Sequence, residues 1–360
     1  MTTSARFGAQ RLAVQQIARS RFETPGDLVA WLGAVQAQDY AAAKWALGLR
    51  LPPGTTDEAI ERALADGTIL RTHALRSTWQ LVTPADIRWI VALVAPRQIA
   101  RSARRDQELE LDAVTLRRSR TALEKALRDG RHLTRAELAT VLEKARISSG
   151  GQRLAHLLGR AELDGLICSG ARRGKQSTYA LLDHRAKKCK PLARDEALAR
   201  LARRYFQSRG PATVSDFCWW SGLSPAEARA GLESIKSTLV SDVVASQTYF
   251  RAESAKARHD SQAAYLLPAF DEYLVGYRNR DAVLGPEHVK RLNAGGGMLA
   301  PCVVINGRVI GTWRRVLGKA NVSVELSLFE PPTSRQAQAI AGAARRYGAF
   351  LGVTACVSTG

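Results

Sequence analysis

HLTRAELATVLEKARI (His132–Ile147) opens a run that continues through GQRLAHLLGRAELDGLICSG (Gly151–Gly170) to RRGKQSTYALLD (Arg172–Asp183). Thr134 and Glu137 have the spacing of a capping box, which predicts that a helix begins there. The second segment carries apolar residues at helical spacing, and the third is a basic turn leading into a strand. Since another helix is predicted in front of this run, the order is helix, helix, helix and basic hairpin. That order is typical of a winged helix, a variant of the helix-turn-helix.

A similar order of elements, helices followed by a hairpin or a strand, recurs on both sides of this run. In front of it, the sequence predicts helices and then a half-buried hairpin: Ala9–Arg19, a helix capped by Thr24 with Pro25 in its first turn, Thr56–Asp66, and the hairpin Ile69–Pro84. The helix that immediately precedes the run is predicted over Arg117–Arg128. After it come a helix over Glu196–Gln207, a helix pair over Thr213–Ile235 with Gly222 in the turn and Ser224 as the cap of the second helix, and a strand over Thr238–Val244.

From Ala263 the pattern changes to strands. Asn306-Gly307 is a strong hairpin signal, and a final helix is predicted over Arg335–Tyr347. We therefore expect an α+β fold of tandem winged-helix units followed by a β-rich C-terminal domain. The predicted domains are a first winged-helix unit over 1–116, a second over 117–190, a third over 191–262, and the C-terminal domain over 263–360.

The chain is strongly basic. Its 53 Lys and Arg against 33 Asp and Glu give a net charge of +20, and the excess is spread along the whole chain. Basic groups near phosphates release condensed counterions, which favours nucleic acid as the partner. A basic protein without a polyanionic partner is the alternative that charge alone leaves open.

Several other classes of protein are disfavoured. The five cysteines are widely spaced without a C-x-x-C pair, which argues against a disulfide framework and against zinc or iron–sulfur ligation. No signal-like N-terminus and no run of about 18 apolar residues occurs, so we expect a cytoplasmic protein with no membrane partner. Dinucleotide, Walker, H-E-x-x-H and G-x-S-x-G motifs are absent from the sequence, and the histidines have no metal-ligand spacing. We expect neither a cofactor nor a metal.

The segment WLGAVQAQDY (Trp31–Tyr40) places Gln36 and Gln38 at the end of an apolar helix. On a regular helix, Gln36 would lie about 100° to one side of Val35 and Gln38 about 60° to the other, so the two amides would diverge by about 160°. They converge only if the helix ends or tightens here, which would aim both into one cleft. An exposed polar helix end is the alternative.

VQAQDY (Val35–Tyr40), followed by AKWALGLR (Ala43–Arg50) and THALRSTWQLV (Thr72–Val82), closely resembles the AlkZ and YcaQ family of bacterial DNA glycosylases. The family signature is Gln, an apolar residue, then Gln or Asp. This chain has the Gln form of the AlkZ branch, with an alanine where a bulkier apolar residue is often found. FDEYLVGYRNRDAVLG (Phe270–Gly285) and GRVIGTWRR (Gly307–Arg315) resemble later family segments, so the resemblance spans essentially the whole chain.

The resemblance implies tandem winged helices around a C-shaped basic DNA channel, and hydrolysis of the N-glycosidic bond of alkylated purines. The implied substrates are N7-alkylguanines in double-stranded DNA, including bulky adducts and interstrand crosslinks. Alkylation at N7 makes the purine cationic, so it departs as a neutral base and needs no general acid. Two amides then suffice to orient the attacking water. The resemblance assigns this role to Gln36 and Gln38, with Gln36 the more critical.

Further residues are candidates for DNA contact or catalysis. Those expected to contact DNA lie on the first hairpin, on the basic wing and at a strand end: Arg71, His73, Arg76, Arg172, Arg173, Lys175, Trp313, Arg314 and Arg315. For His73, a structural role is an equal alternative. Asp39 is either an electrostatic aid, or a helix cap or partner of an arginine. Asp271 and Glu272 are expected to orient Arg278 or Arg280, with a catalytic assist left open.

Bulky bases favour an open channel over a tight flipping pocket. A winged-helix transcription regulator without catalysis and a structural DNA-binding factor are the competing hypotheses. The lack of an evident dimerisation helix disfavours a regulator, which usually has two-fold symmetry. We expect a monomer associated with the nucleoid.

Overall fold

The computed structural model describes residues 3–253, 263–293, 295 and 299–359, with helices and strands interspersed along the chain as predicted for an α+β protein. The chain divides into two compact units. One, the discontinuous unit, comprises Met1–Glu61 and Ala199–Gly360, and the other, the inserted unit, comprises Arg62–Leu198. The finer division into four domains stays a prediction, and the last residue of its third domain, 262, lies outside the described residues.

The N-terminal segment of the discontinuous unit is mainly helical. Its elements are α1 (Thr3–Val14), α2 (Pro25–Leu32), β1 (Val35–Gln36), α3 (Tyr40–Gly48) and α4 (Asp57–Asp66), whose last turns belong to the inserted unit. The predicted cap of α2 is confirmed, because Thr24 Oγ1 accepts the N–H of Asp27 at 3.1 Å and Pro25 stands in the first turn. The helix ends at Leu32 because Gly33 adopts a positive φ of 77°.

The inserted unit combines helices with two small hairpins. Its elements are β2 (Leu70–His73), β3 (Trp79–Val82), α5 (Ile87–Glu108), α6 (Ala113–Ala126), β4 (Leu133–Thr134), α7 (Arg135–Lys144), α8 (Arg153–Leu163), β5 (Ile167–Ser169), β6 (Thr178–Leu181), α9 (Leu182–Arg185) and the start of α10 (Arg194–Arg209). The capping box of Thr134 and Glu137 is confirmed. Strands β2 and β3 pair antiparallel with His73 opposite Trp79, as the predicted hairpin requires. The 22-residue helix α5 was not predicted.

The core of the inserted unit lies under α6, α7 and α8. The predicted apolar stripe of α8 contributes Leu154, Leu157 and Leu158, which are all buried together with Leu123 and Leu138 from the two preceding helices. Strand β6 lies between β4 and β5, so the basic turn between β5 and β6 stands at the end of a small three-stranded sheet.

The C-terminal segment of the discontinuous unit carries a five-stranded sheet. Its elements are α11 (Val214–Ser221), α12 (Pro225–Glu233), β7 (Leu239–Val244), β8 (Gln247–Ala252), β9 (Ala264–Leu267), α13 (Glu272–Val275), α14 (Val289–Leu292), β10 (Cys302–Ile305), β11 (Arg308–Leu317), β12 (Asn321–Leu328), α15 (Ser334–Leu351) and β13 (Thr354–Thr359). The sheet order is β13-β12-β11-β10-β9, with β12 and β13 parallel and the other neighbours antiparallel.

Three local predictions in this segment are confirmed. Asn306 and Gly307 form the turn between β10 and β11 with φ of 53° and 73°, the left-handed pair that a tight hairpin uses. Gly222 ends α11 in the left-handed conformation, and Ser224 caps α12. None of the helices described in the structure is long and apolar enough to cross a membrane.

Candidate active site

The two glutamines lie between helices α2 and α3 and not on a helix. We call this segment, residues 33–39, the glutamine linker. Helix α2 ends at Leu32, and Gln36 lies on the two-residue strand β1. The predicted helix does not extend to the glutamines. Of the two conditions stated for their convergence, the structure shows that the helix ends before them, so the divergence of about 160° does not apply. Only Val35 and Gln36 are in a strand and Gln38 lies in a bend, so the alternation of a strand does not fix the direction of the Gln38 side chain relative to that of Gln36.

The two amides have different environments. Gln36 is 7% exposed, whereas Gln38 is exposed. Asp39 ends the linker and caps α3, because its Oδ1 accepts the N–H of Ala42 at 3.0 Å. Asp39 was expected to be an electrostatic aid, a helix cap or a partner of an arginine, and this contact is that of a helix cap. The linker thus presents one buried and one exposed glutamine in front of a fixed helix start.

A buried ion pair holds the backbone of the linker. Glu272 Oε1 accepts the N–H of Gln36 at 2.8 Å, while Glu272 Oε2 accepts from Arg209 Nη2 at 2.6 Å and Nε at 3.0 Å. Arg209 also donates to the carbonyl oxygens of Leu32 at 2.7 Å and Ala34 at 2.8 Å. We call these two side chains the Glu272–Arg209 clamp. It fixes the course of the chain from the end of α2 to Gln36.

The neighbouring carboxylate has a different partner. Asp271 forms a bidentate pair with Arg50, at 2.7 Å from Nη2 to Oδ1 and 2.8 Å from Nη1 to Oδ2. The prediction that Asp271 and Glu272 orient Arg278 or Arg280 is therefore wrong. The backbone N–H of Arg278 donates to Asp216, and Arg280 Nε donates to the carbonyl of Leu274.

Trp313 is part of the core of the discontinuous unit. It is 5% exposed, its Nε1 donates to the carbonyl of Leu267 at 2.9 Å, and its ring packs edge-on against Tyr347. This burial argues against the predicted contact of Trp313 with DNA. Its neighbours Arg314 and Arg315 are exposed, the first paired with Glu325 and the second donating to the hydroxyl of Tyr347 at 2.9 Å.

A small cavity adjoins the linker. It has a volume of about 70 Å³, too small for a purine, and lies beside Asp39 and Arg315 with an aromatic wall. The aromatic residues that line it are Trp45, Trp313 and Tyr347. Arg315, which is exposed, therefore lies on the same cavity as Asp39, the residue that directly follows Gln38.

The first hairpin carries His73 with its side chain partly buried. His73 Nδ1 lies 2.6 Å from Glu162 Oε2, and its ring lies 4.0 Å from that of Trp79. The guanidinium of Arg71 lies 4.0 Å from the Trp79 ring, and Arg76 adopts a positive φ of 58° in the turn. Both halves of the prediction for His73 stay open, since its side chain has a structural partner and is still 26% exposed.

A larger cavity of about 310 Å³ lies within the inserted unit beside this hairpin. It is lined by two histidine–carboxylate pairs, His73–Glu162 and His156–Asp106, each with a shortest distance of 2.6 Å. Tyr179 also lines it, and burial raises the pKa of that phenol. Sequence reasoning missed these carboxylates, because each is 50 or more residues from its histidine. Among the described residues, no group of three or more side chains is arranged to bind a metal.

The predicted basic wing is the turn between β5 and β6. Arg173 Nη1 donates to Glu137 at 2.7 Å, Arg172 donates to the carbonyl of Lys175, and the Lys175 side chain is exposed. The backbone N–H of Thr134, followed by Arg173, lowers the pKa of Glu137 to about 2. Arg173 is thus ion-paired with Glu137, whereas Lys175 is an exposed cation.

Comparison with known proteins gives concordant results. The model of the DNA glycosylase AlkZ-like family matches residues 29–350. An interstrand DNA cross-link repair glycosylase of Streptomyces sahachiroi is 30% identical over 311 residues, which cover 81% of this chain and 82% of that protein. Among solved structures, the Streptomyces sahachiroi DNA glycosylase AlkZ superposes with a TM-score of 0.79 at 24% identity, covering 100% of each chain. The structural comparison supports the fold.

Proposed function

The chain belongs to the DNA glycosylase AlkZ-like family, and we propose that it hydrolyses the N-glycosidic bond of alkylated purines in double-stranded DNA. An N7-alkylguanine carries a positive charge and leaves as a neutral base, so the remaining task is to deliver water to C1′. The net charge of +20 suits a phosphate-rich substrate. We assign both small and bulky N7 adducts to the substrate class, and interstrand crosslinks because the Streptomyces relative is named for their repair.

In this proposal Gln36 and Gln38 hold the attacking water. Amide oxygens accept hydrogen bonds from water without becoming charged, so they orient it towards the sugar as positive charge develops there. The observation that carries the proposal is the anchoring of Gln36. Its backbone N–H is fixed by a buried carboxylate at 2.8 Å, two residues before the exposed Gln38. The reaction requires no metal or cofactor.

The remaining candidates bind the duplex in this proposal. The hairpin, the wing and the strand end supply phosphate contacts that position DNA without reading its sequence: Arg71, His73, Arg76, Arg172, Arg173, Lys175, Arg314 and Arg315. The three predicted winged-helix units surround a basic channel in this proposal. The protein acts as a monomer on the DNA of the nucleoid. An open channel accommodates a bulky adduct that a tight flipping pocket excludes.

Release of 7-methylguanine from methylated duplex DNA tests the assignment. We expect Gln36→Ala to lower the single-turnover rate constant by about 100-fold, and Gln38→Ala by a smaller factor, with duplex affinity changed by less than about twofold. Gln107→Ala, an exposed glutamine on α5, is the control and retains the wild-type rate. Preserved release in both site variants would show that the water is held elsewhere. If the wild type releases neither small nor bulky bases, a DNA-binding regulator becomes the better hypothesis.

A series of N7 adducts of increasing size tests the substrate range. We expect the rate constant to depend weakly on adduct size, because the proposed channel is open. A crosslinked duplex should be converted into single strands by the wild type and not by Gln36→Ala. Loss of activity with the first bulky substituent would restrict the function to small adducts.

A further inference from the structure

The Glu272–Arg209 clamp divides its hydrogen bonds between an ion pair and the glutamine linker. Glu272 is 1% exposed and Arg209 is fully buried. One carboxylate oxygen accepts from Arg209 and from Trp220 Nε1, the latter at 3.0 Å, and the other accepts from the backbone of Gln36. The ion pair therefore satisfies a backbone donor that belongs to the proposed catalytic segment.

Arg209 extends the same hold to the preceding residues. Its guanidinium reaches the carbonyl oxygens of Leu32 and Ala34 while it pairs with Glu272. Three backbone groups within residues 32–36 are thus fixed by one pair of charges. Because a guanidinium is planar, its donors fix the relative position of these carbonyls as well as their distance.

Stability alone is a weak explanation for such an arrangement. Replacing a buried ion pair by apolar side chains is often neutral or stabilising, because desolvation offsets the attraction between the charges. The Arg50–Asp271 pair provides an internal comparison, since Arg50 is equally buried and donates to Gln15, Ala46 and Asp271. The contacts of Arg50 hold α3 and the residue that follows α1, whereas those of Arg209 hold the glutamine linker.

We infer that Glu272 and Arg209 are positioning residues for the water held by Gln36, an inference that rests on the function proposed above. They set the place of the Gln36 backbone and hence of its amide. Displacement of a reacting group by about 1 Å lowers rates by about 100-fold. Weakening the clamp therefore slows the chemical step while the surfaces that bind DNA stay intact.

The experiment compares Glu272→Gln and Arg209→Lys with Arg50→Lys. In Glu272→Gln, an amide N–H faces either the Gln36 donor or the Arg209 donors, and Arg209→Lys removes the planar fork. We expect all three variants to unfold at lower temperature. The first two should also lower the single-turnover rate constant by about 10- to 100-fold, with the KM for DNA changed by less than about twofold. Arg50→Lys should stay within about threefold of the wild-type rate constant.

A double variant covers the case in which the single variants fail to fold. Arg209→Met with Glu272→Met replaces both charges by side chains of similar volume, so it retains a packed core but leaves the Gln36 N–H without its carboxylate. We expect a folded protein with the same selective loss of rate. A folded double variant with the wild-type rate constant would overturn the inference.

The outcomes separate the inference from the function on which it rests. If the wild type is active and Gln36→Ala is slow, but Glu272→Gln and Arg209→Lys react as fast as Arg50→Lys, the clamp has no positioning role. If the wild type releases no base at all, the proposed function and the inference are both overturned.

Discussion

His73 Nδ1 lies 2.6 Å from Oε2 of Glu162, whose side chain is fully buried. Where this carboxylate is ionised it accepts the hydrogen bond from Nδ1 of the imidazole, since an ionised carboxylate has no proton to donate. Leaving Glu162 without this donor costs about 1–3 kcal/mol. We therefore expect His73→Ala to lower the free energy of unfolding by this amount at neutral pH, measured by urea denaturation.

The matched variant is His73→Asn, because the amide nitrogen of asparagine can donate from nearly the same place as Nδ1. It should recover at least half of the lost stability. The two variants also separate the two roles open to His73. If His73→Ala is as stable as the wild type but binds duplex DNA more weakly, the residue acts at the DNA surface and the structural interpretation is wrong.

We expect the two cationic residues Lys175 and Arg173 of the basic wing to contribute differently to the salt dependence of DNA binding. Lys175 is exposed, whereas Arg173 pairs with Glu137 at 2.7 Å. Each phosphate contact contributes about 0.9 to the slope of log K against log salt concentration. Lys175→Ala should therefore reduce this slope by about 1, and Arg173→Ala by less, in anisotropy titrations of an undamaged duplex. Lys125→Ala, exposed on α6, is the control. An unchanged slope in Lys175→Ala would exclude the wing from the DNA surface.

The capping carboxylate of α7 predicts a pH dependence of stability. Hydrogen bonding by Thr134 and Arg173 lowers the pKa of Glu137 from 4.5 to about 2. Since the folded state keeps the carboxylate ionised to lower pH than the unfolded chain does, its stabilisation is complete above about pH 4.5 and is lost as the pH falls towards 2. Glu137→Gln retains a capping acceptor without this charge. It should make the free energy of unfolding depend less steeply on pH below 4.5, whereas Glu124→Gln should follow the wild type.

Local signals in the sequence predicted local structure well. The Thr134–Glu137 box, the Ser224 cap and the Asn306-Gly307 turn each depend on residues within a few positions of one another, and each is confirmed. Gly33 was a similar signal that should have ended the helix before Gln36, since glycine commonly terminates helices. Trp313 instead faces the core because buried and less buried residues alternate along β11 up to this position, as the two-residue repeat of a strand requires.

The candidate site could be predicted only in part, because its supports come from distant parts of the chain. Glu272 lies 236 residues from Gln36, and Arg209 lies 63 residues before Glu272. No periodicity or capping rule links such positions, so the carboxylates at 271 and 272 were paired with nearby arginines instead. Tertiary contacts of this kind emerge only when the chain has been folded, as do the histidine–carboxylate pairs of the larger cavity.

We expect Gly307→Ala to lower the free energy of unfolding more than an alanine at another left-handed glycine does. Gly307 has a φ of +73°, and a Cβ there would lie 2.5 Å from the carbonyl carbon of Gly8 and 2.7 Å from the nitrogen of Ala9. Gly54 has a φ of +94° but open space around its Cα. Both substitutions to alanine incur the left-handed cost of about 1–2 kcal/mol, and Gly307→Ala adds a backbone clash of about 1–3 kcal/mol. Urea denaturation should therefore show Gly307→Ala to be the less stable variant by about 1–3 kcal/mol. Equal losses in the two variants would mean that the hairpin and α1 can move apart without cost.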